Sequence, residues 1–280
     1  MDGSEEMEYS PNKILNDKEF YFKKKFGQNF IVDENIIDKI VESSNIDKDT
    51  LVIEIGPGAG SLTYKLGLKA KNVLCYEIDT TVKDILNENI KDLNNVEVIY
   101  QDFLKIDVNN DLKKYEYKKL YVVANLPYYI TTPIITKIIE DELDVDKIVA
   151  MVQKEVGDRF KANVGTKYYN SLTIYLNYYF DIKKVMNVSR NVFIPKPNVD
   201  SLVLEFDKKE KLEDINNLEL FFKLVRDSFK QKRKTLRNNL KKYDLEKIEE
   251  VLKKYDKDLN VRAEQLESKI FIAIANSLEE

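Results

Sequence analysis

Val123-Ala124-Asn125-Leu126-Pro127-Tyr128-Tyr129 is an apolar run that ends in an amide, a proline and two aromatic rings. Leu120 to Val123 reads as a buried strand, and Thr131-Thr132-Pro133 reads as the N-cap and first turn of a helix. Asn125 to Tyr128 then fall at the carboxyl end of a strand, where open α/β sheets bind their ligands. The four residues also fit one chemistry. An amide oxygen and adjacent backbone carbonyls can accept both hydrogens of an exocyclic base amine, proline fixes the turn, and a tyrosine face can stack on the base. The plainer alternative is that Pro127 only ends a strand and the tyrosines cover a sheet edge.

At 280 residues the chain exceeds the usual size of one domain, so a large domain plus a smaller one is expected. With 43% hydrophobic residues it can build a real core, yet no run approaches the ~18 apolar residues that cross a bilayer. Met1 to Glu8 is acidic and lacks the basic start and apolar centre of a signal peptide, which predicts a cytoplasmic protein. One cysteine, Cys75, permits no internal disulfide, and it sits in the apolar run Val73-Leu74-Cys75-Tyr76 as a core residue would. With no histidine, the chain offers no familiar zinc constellation and no Ser/His or Cys/His nucleophile, so no metal is expected.

The total charge of -4 hides an asymmetry. Between Lys223 and Lys242 nine Lys and Arg residues stand against the single acid Asp227, a net of +8 that leaves -12 on the rest of the chain. Such a block suggests a polyanion met at one place, since phosphate contacts provide most nonspecific nucleic-acid affinity. Phe222, Val225 and Phe229 keep a helical apolar stripe beneath these charges.

In chain order, Asp33 can cap a helix whose apolar positions Ile36, Ile37, Ile40 and Val41 follow a 3.6-residue period. Leu51 to Ile55 reads as a short buried strand. It runs into Gly56-Pro57-Gly58-Ala59-Gly60-Ser61-Leu62, and a helix follows through Leu68. Glycines there allow a sharp turn and leave room for a ligand against the helix N-terminus. A nicotinamide dinucleotide is one candidate, although the sixth position of its fingerprint is Ser61 rather than Gly or Ala. Glu77, after a second strand Asn72 to Tyr76, could accept from ribose hydroxyls, which suits any adenosine-containing cofactor. Val96 to Tyr100 ends in Gln101-Asp102-Phe103, a carboxylate and a ring suited to an adenine. Four consecutive strand ends therefore carry binding chemistry.

The segments Phe26-Gly27-Gln28-Asn29-Phe30, Glu54-Ile55-Gly56-Pro57-Gly58-Ala59-Gly60, Glu77-Ile78-Asp79, Gln101-Asp102-Phe103, Asn125-Leu126-Pro127-Tyr128-Tyr129-Ile130 and Phe193-Ile194-Pro195-Lys196-Pro197-Asn198-Val199-Asp200-Ser201 carry a specific likeness. Together they resemble the S-adenosylmethionine-dependent ribosomal RNA adenine N6,N6-dimethyltransferases, in particular the small-subunit (16S) type whose loss gives kasugamycin resistance. The resemblance runs from about Phe26 to the segment Phe229 to Leu240. It implies an α/β, Rossmann-like class I methyltransferase with a seven-stranded, mostly parallel sheet, followed by a small all-α domain. The expected organisation is an N-terminal extension over 1–25, the methyltransferase domain over 26–207, and a helical RNA-docking domain over 208–280.

Carried over by motif, the resemblance implies that Gln28, Asn29 and Ile31 close over the cofactor, with Glu54, Gly56, Gly58, Gly60 and Asn125 lining its methionine and ribose side. Glu77 and Ile78 would hold the ribose, and Asp102 and Phe103 the adenine. Asn125, Leu126, Pro127 and Tyr128 would hold the target base, with Phe193 packing on it from the other face. Lys230, Lys232, Arg233, Lys234 and Arg237 would meet RNA. The lone pair of adenine N6 is delocalised into its ring, so acceptors such as the Asn125 amide oxygen and the Leu126 carbonyl are needed to favour a tetrahedral nitrogen. Catalysis would then be positioning and electrostatics rather than general-base chemistry.

Two positions depart from the family pattern: Lys232 stands where arginine is usual, and Asn170 where glycine is frequent. The implied function is transfer of methyl groups to two adjacent adenosines in the 3′-terminal hairpin of 16S rRNA within immature 30S subunits, by a monomer. A large-subunit (23S) adenine-N6 methyltransferase of the macrolide-resistance type, a non-catalytic assembly factor and a nicotinamide oxidoreductase are the competing readings. Phe221 to Phe229, Thr235 to Leu240, Leu245 to Leu252 and Ala263 to Leu278 are expected as the helices of the small domain.

Overall fold

A computed structural model of the chain describes residues 30–279. The residues Gln28 and Asn29 lie outside that range, as does the extension over 1–25. In chain order the first elements are β1 (Phe30–Ile31), α1 (Glu34–Ser44), β2 (Thr50–Ile55), α2 (Ser61–Lys69), β3 (Asn72–Tyr76), α3 (Lys83–Ile90) and β4 (Val96–Ile99). There follow α4 (Val108–Leu112), β5 (Lys119–Asn125), α5 (Thr131–Glu140), β6 (Lys147–Gln153), α6 (Lys154–Phe160) and α7 (Ser171–Tyr179). The remainder comprises β7 (Phe180–Val188), β8 (Phe193–Ile194), β9 (Ser201–Lys208), α8 (Leu218–Phe229), α9 (Leu236–Asn239), α10 (Leu245–Lys253) and α11 (Ser268–Glu279).

Seven strands form one sheet in the order β4-β3-β2-β5-β6-β9-β7. The pairings β4 with β3, β3 with β2, β2 with β5 and β5 with β6 are parallel. The chain therefore moves outward from β2 through β3 to β4, then returns to lay β5 on the other flank of β2. The resulting switch point lies between the carboxyl ends of β2 and β5, where Ile55 and Asn125 terminate their strands.

Why these runs become central strands follows from their composition. All six residues of β2 are buried, and so are the five from Leu120 to Ala124 in β5. Strands covered on both faces read as continuous apolar runs rather than as alternation. Each fully buried Val, Leu or Ile side chain there contributes about 1.5–3 kcal/mol. The core joins Val52, Val73, Val123 and Val149 from the sheet to Ile37, Ile40 and Val41 of α1. Asp33 caps α1 as its sequence predicts, accepting from the Asn35 amide at 3.0 Å.

The chain divides into two compact units. The first runs to Lys154 and resumes over Lys184–Glu205; the second is Glu155–Lys183 together with the residues from Phe206 on. Within the second unit Phe229 packs on Tyr169 and on Phe271, with ring centroids 6.2 and 6.0 Å apart. The expected helix over Ala263 to Leu278 is interrupted. A 3-10 turn covers Ala263–Gln265, Leu266 is extended at φ -108° and ψ 137°, and only then does α11 begin. Asn170 explains its own departure from glycine. It is extended, at φ -154°, and it caps α7 by accepting from the Leu172 and Thr173 amides at 2.9 and 3.3 Å.

Among the described residues no helix is long and apolar enough to cross a membrane.

Candidate active site

A cleft of about 990 Å³, counted out to open solvent, lies at the carboxyl ends of β2, β3, β4 and β5 within the first unit. The loop after β2 forms one wall. Gly56 and Gly58 line the cleft, whereas Gly60 does not. Gly60 serves packing instead: at φ +91° it precedes α2, and a Cβ there would stand 2.8 Å from Cδ1 of the buried Leu86 on α3.

Glu77 follows β3 and is buried, yet its carboxylate is well supplied with donors. The Gly58 amide donates to Oε2 at 3.0 Å, and the Asp79 amide to Oε1 at 2.8 Å. Burial raises its pKa, and these two amides oppose that rise. The bonds tie the glycine loop to the end of β3, so this acid shapes the wall of the cleft. Ile78 beside it is 42% exposed and lines the rim.

Asp102 follows β4 and caps the 3-10 turn Phe103–Lys105 by accepting from the Leu104 amide at 3.1 Å. Its other oxygen lies 3.5 Å from the Lys105 ammonium. Phe103 is buried, edge-on to Tyr76 with ring centroids 5.4 Å apart, and both rings line the cleft.

The turn after β5 is fixed by several bonds. The Leu126 amide donates to the Met151 carbonyl of β6 at 3.1 Å. The Pro127 carbonyl accepts from the Ile130 amide at 3.1 Å and from the Thr131 hydroxyl at 3.0 Å, so that carbonyl serves the turn rather than a ligand. Thr131 was expected as a helix cap; here Ile130 occupies the cap position without a side-chain bond, and Thr131 opens α5. The Tyr128 hydroxyl meets the Ser201 hydroxyl at 2.6 Å. Burial raises the Tyr128 pKa, and the bond to Ser201 counters it.

Glu54 lines the floor, 2% exposed, with the Cys75 thiol 3.6 Å from its Oε2. Burial pushes its carboxyl up to about 8. The same burial pushes the Cys75 thiol well above its usual range, which makes it a core residue.

The sequence-predicted residues Glu54, Gly56, Gly58, Glu77, Ile78, Asp102, Phe103, Asn125, Leu126, Pro127 and Tyr128 therefore share one cleft, and Ile31 lines it too. Phe193 is placed differently. Its ring is 2% exposed, β8 pairs it with Ile31 on antiparallel β1, and it belongs to the hydrophobic core rather than to the cleft lining. Pairing a short apolar strand against β1 is what draws this ring inward.

Lys230, Lys232, Arg233, Lys234 and Arg237 are all exposed and belong to the second unit. Lys232 donates to the Lys167 carbonyl at 2.7 Å, and Arg237 lies 3.6 Å from Glu249. A lysine serves this carbonyl contact as a point donor, with no need of a guanidinium fork.

Sequence reasoning missed Ser61, Ile37 and Tyr129 as cleft residues. Ser61 follows the glycines and Tyr129 stands directly after Tyr128, so both were within reach; Ile37 carried only a core periodicity.

The donor set fits an S-adenosyl group: a buried carboxylate facing the ribose side, a second acid with an aromatic floor at the end of β4, and a glycine-lined wall between them. Comparison with known proteins agrees. A family model described as ribosomal RNA adenine dimethylase matches residues 19–280. Ribosomal RNA small subunit methyltransferase A of Bacillus pumilus is 45% identical over 276 residues, 95% of this chain and 94% of that one. The protein of that name from Staphylococcus aureus strain Newman is 46% identical over 233 residues, 82% of this chain and 78% of that one. Among solved structures, a dimethyladenosine transferase from Plasmodium falciparum superposes with a TM-score of 0.72 at 29% identity, covering 88% of this chain and 95% of that chain. The 23S rRNA methyltransferase ErmE, with a TM-score of 0.70 over 90% of this chain and 100% of that chain, is 24% identical and shares the fold.

Proposed function

The chain belongs to the ribosomal RNA adenine dimethylase family of S-adenosylmethionine-dependent methyltransferases, and from that premise we propose that it transfers methyl groups to N6 of two adjacent adenosines in the 3′-terminal hairpin of 16S rRNA. The products are N6,N6-dimethyladenosines formed during small-subunit biogenesis. One observation carries this reading: the acceptor-rich turn Asn125 to Tyr128 and the glycine wall after β2 line the same cleft, so a methyl donor and a base can lie side by side.

S-adenosylmethionine supplies an electrophilic methyl group. The chain's own residues do the rest by placement. Glu77 and Ile78 would hold the ribose, Asp102 and Phe103 would take the adenine of the cofactor, and Gly56, Gly58 and Glu54 would bound the methionine side. Ile31 would close the cofactor side. The Asn125 amide oxygen and the Leu126 carbonyl accept the two N6 hydrogens of the target adenine, which frees the nitrogen lone pair from the ring. Tyr128 stacks on the base, a contact that stabilises by about 1–3 kcal/mol. Phe193 would pack on the opposite face only once its ring, buried in this structure, becomes exposed. Once methylated the nitrogen is strongly acidic, and solvent takes its proton.

Residues 26–207 carry methyl transfer in this reading, 1–25 are an extension, and 208–280 dock on RNA through Lys230, Lys232, Arg233, Lys234 and Arg237. The partner is 16S rRNA in immature 30S subunits, the protein acts as a cytoplasmic monomer, and it needs no metal. Relatives bearing the small-subunit name support that target over the large subunit. Transfer of labelled methyl groups to immature small subunits and, in parallel, to large-subunit RNA, followed by mapping, tests it. Two adjacent dimethyladenosines near the 3′ end are expected; label confined to large-subunit RNA overturns the reading. Asn125→Ala should abolish transfer while sparing subunit binding, which separates the enzyme from a non-catalytic assembly factor.

A further inference from the structure

We propose that Ser201 is a positioning residue for the methyl-accepting base, acting through the hydroxyl of Tyr128. The inference rests on the reading that Tyr128 stacks on that base, and it goes further by asking what sets the position of the ring. Tyr128 stands on the turn after β5, and Ser201 opens β9, 73 residues later. Their oxygens are 2.6 Å apart, a short O–H···O contact in which either can donate. Tyr128 is half-buried and faces the cleft, whereas Ser201 is 0% exposed.

A tyrosine ring has several staggered positions about χ1 and a two-fold torsion about χ2. Anchoring the distal oxygen selects one position about χ1; because that oxygen lies on the χ2 axis, the bond biases the ring plane only through the preference of a phenolic O–H to lie in the plane of its ring. The anchor is itself held, because the preceding residue is fixed on two sides. The Asp200 carbonyl accepts from the Lys154 amide at 3.0 Å, and its Oδ1 from the Arg190 amide at 2.9 Å. If Tyr128 turned to another rotamer, a fully buried hydroxyl would lose this partner, and a buried unpaired hydroxyl is costly. Ser201 thus makes every other χ1 position of the ring unfavourable before any base arrives. Setting the ring in advance removes an ordering cost from base capture and holds the acceptor nitrogen in a reactive position.

The test is a cycle on the full chain: native protein, Ser201→Ala, Tyr128→Phe and the double variant. Each is measured for kcat and KM with immature small subunits and for S-adenosylhomocysteine affinity. Ser201→Ala should lower kcat about five- to tenfold, the scale of one missing hydrogen bond, with cofactor affinity within about twofold of native. Tyr128→Phe should lose a similar factor, and the double variant should be no slower than either single one. Losses that multiply in the double variant, or cofactor affinity that falls in step with kcat, would overturn the assignment in favour of a general packing role. Tyr128→Ala keeps the two readings apart. If it transfers methyl groups at the native rate, stacking itself fails and the proposal falls with it; if it is disabled while Ser201→Ala is unimpaired, only the positioning role fails.

Discussion

Gly56 and Pro127 share a wall: with Gly56 at φ +74°, a Cβ placed there would lie 3.4 Å from Cγ of Pro127. A methyl group there would make ordinary van der Waals contact with the base turn, so the cost of a side chain at Gly56 is in the backbone. Gly56→Ala adds left-handed strain of about 1–3 kcal/mol to the loop that lines the cleft. S-adenosylhomocysteine affinity and methyl transfer should fall together. Gly60→Ala, strained to a similar degree but directed at Leu86, should lower the urea midpoint while the folded fraction still binds cofactor. Equal loss of affinity in both variants would place Gly60 in the site after all.

Phe193 is expected to respond as a core residue. With 2% of its surface exposed, its truncation to alanine should cost about 3–5 kcal/mol of stability by urea unfolding, beyond any effect on transfer. Tyr128→Ala, at a half-buried cleft position, should cost less stability and lose activity. If Phe193→Ala were as stable as the native chain, the ring would spend most of its time outside the core.

How much of this was legible beforehand differs from residue to residue. Val52, Val73 and Val123 announced central strands because strands buried on both faces leave uninterrupted apolar runs. Glu77 and Asp102 were legible because glycines and acids at strand ends follow a fixed spacing. The pairing of Ile31 with Phe193 was not, since two-residue strands have no periodicity and their register is a tertiary matter. The break at Leu266 escaped for a related reason: apolar residues on either side continue a helical period, and only packing interrupts the backbone. Ser201 closes the second proline motif, yet nothing local points to a partner 73 residues earlier.

The exposed cations of the second unit should govern the salt dependence of RNA binding. Reversing Lys230, Arg233 and Lys234 to glutamate removes three exposed positive charges, and the slope of log affinity against log salt should flatten by about 1 for every phosphate that is no longer neutralised. Lys232→Glu should act through the loop it holds at Lys167 as well as through charge. The measurement is RNA affinity across a salt series; an unchanged slope in the triple variant would remove this block from the RNA surface.

Glu54 should make the protein less stable as pH rises. Its folded-state pKa, pushed up to about 8 by burial, lies above the ordinary 4.5 of the unfolded chain. Between those values the unfolded state has released a proton that the folded state keeps, so stability falls by up to about 1.4 kcal/mol per pH unit. Below about 4.5 both states are protonated, above about 8 both are ionised, and the slope from this group vanishes at each end. The buried acid Glu77, also raised, adds a contribution of the same sign. Glu54→Gln copies the protonated form in shape and has no charge to bury. Its urea midpoint should match the native protein near pH 5 and exceed it increasingly towards pH 8.5. Parallel curves for the two proteins across that range would mean that Glu54 is already ionised in the folded state near neutral pH.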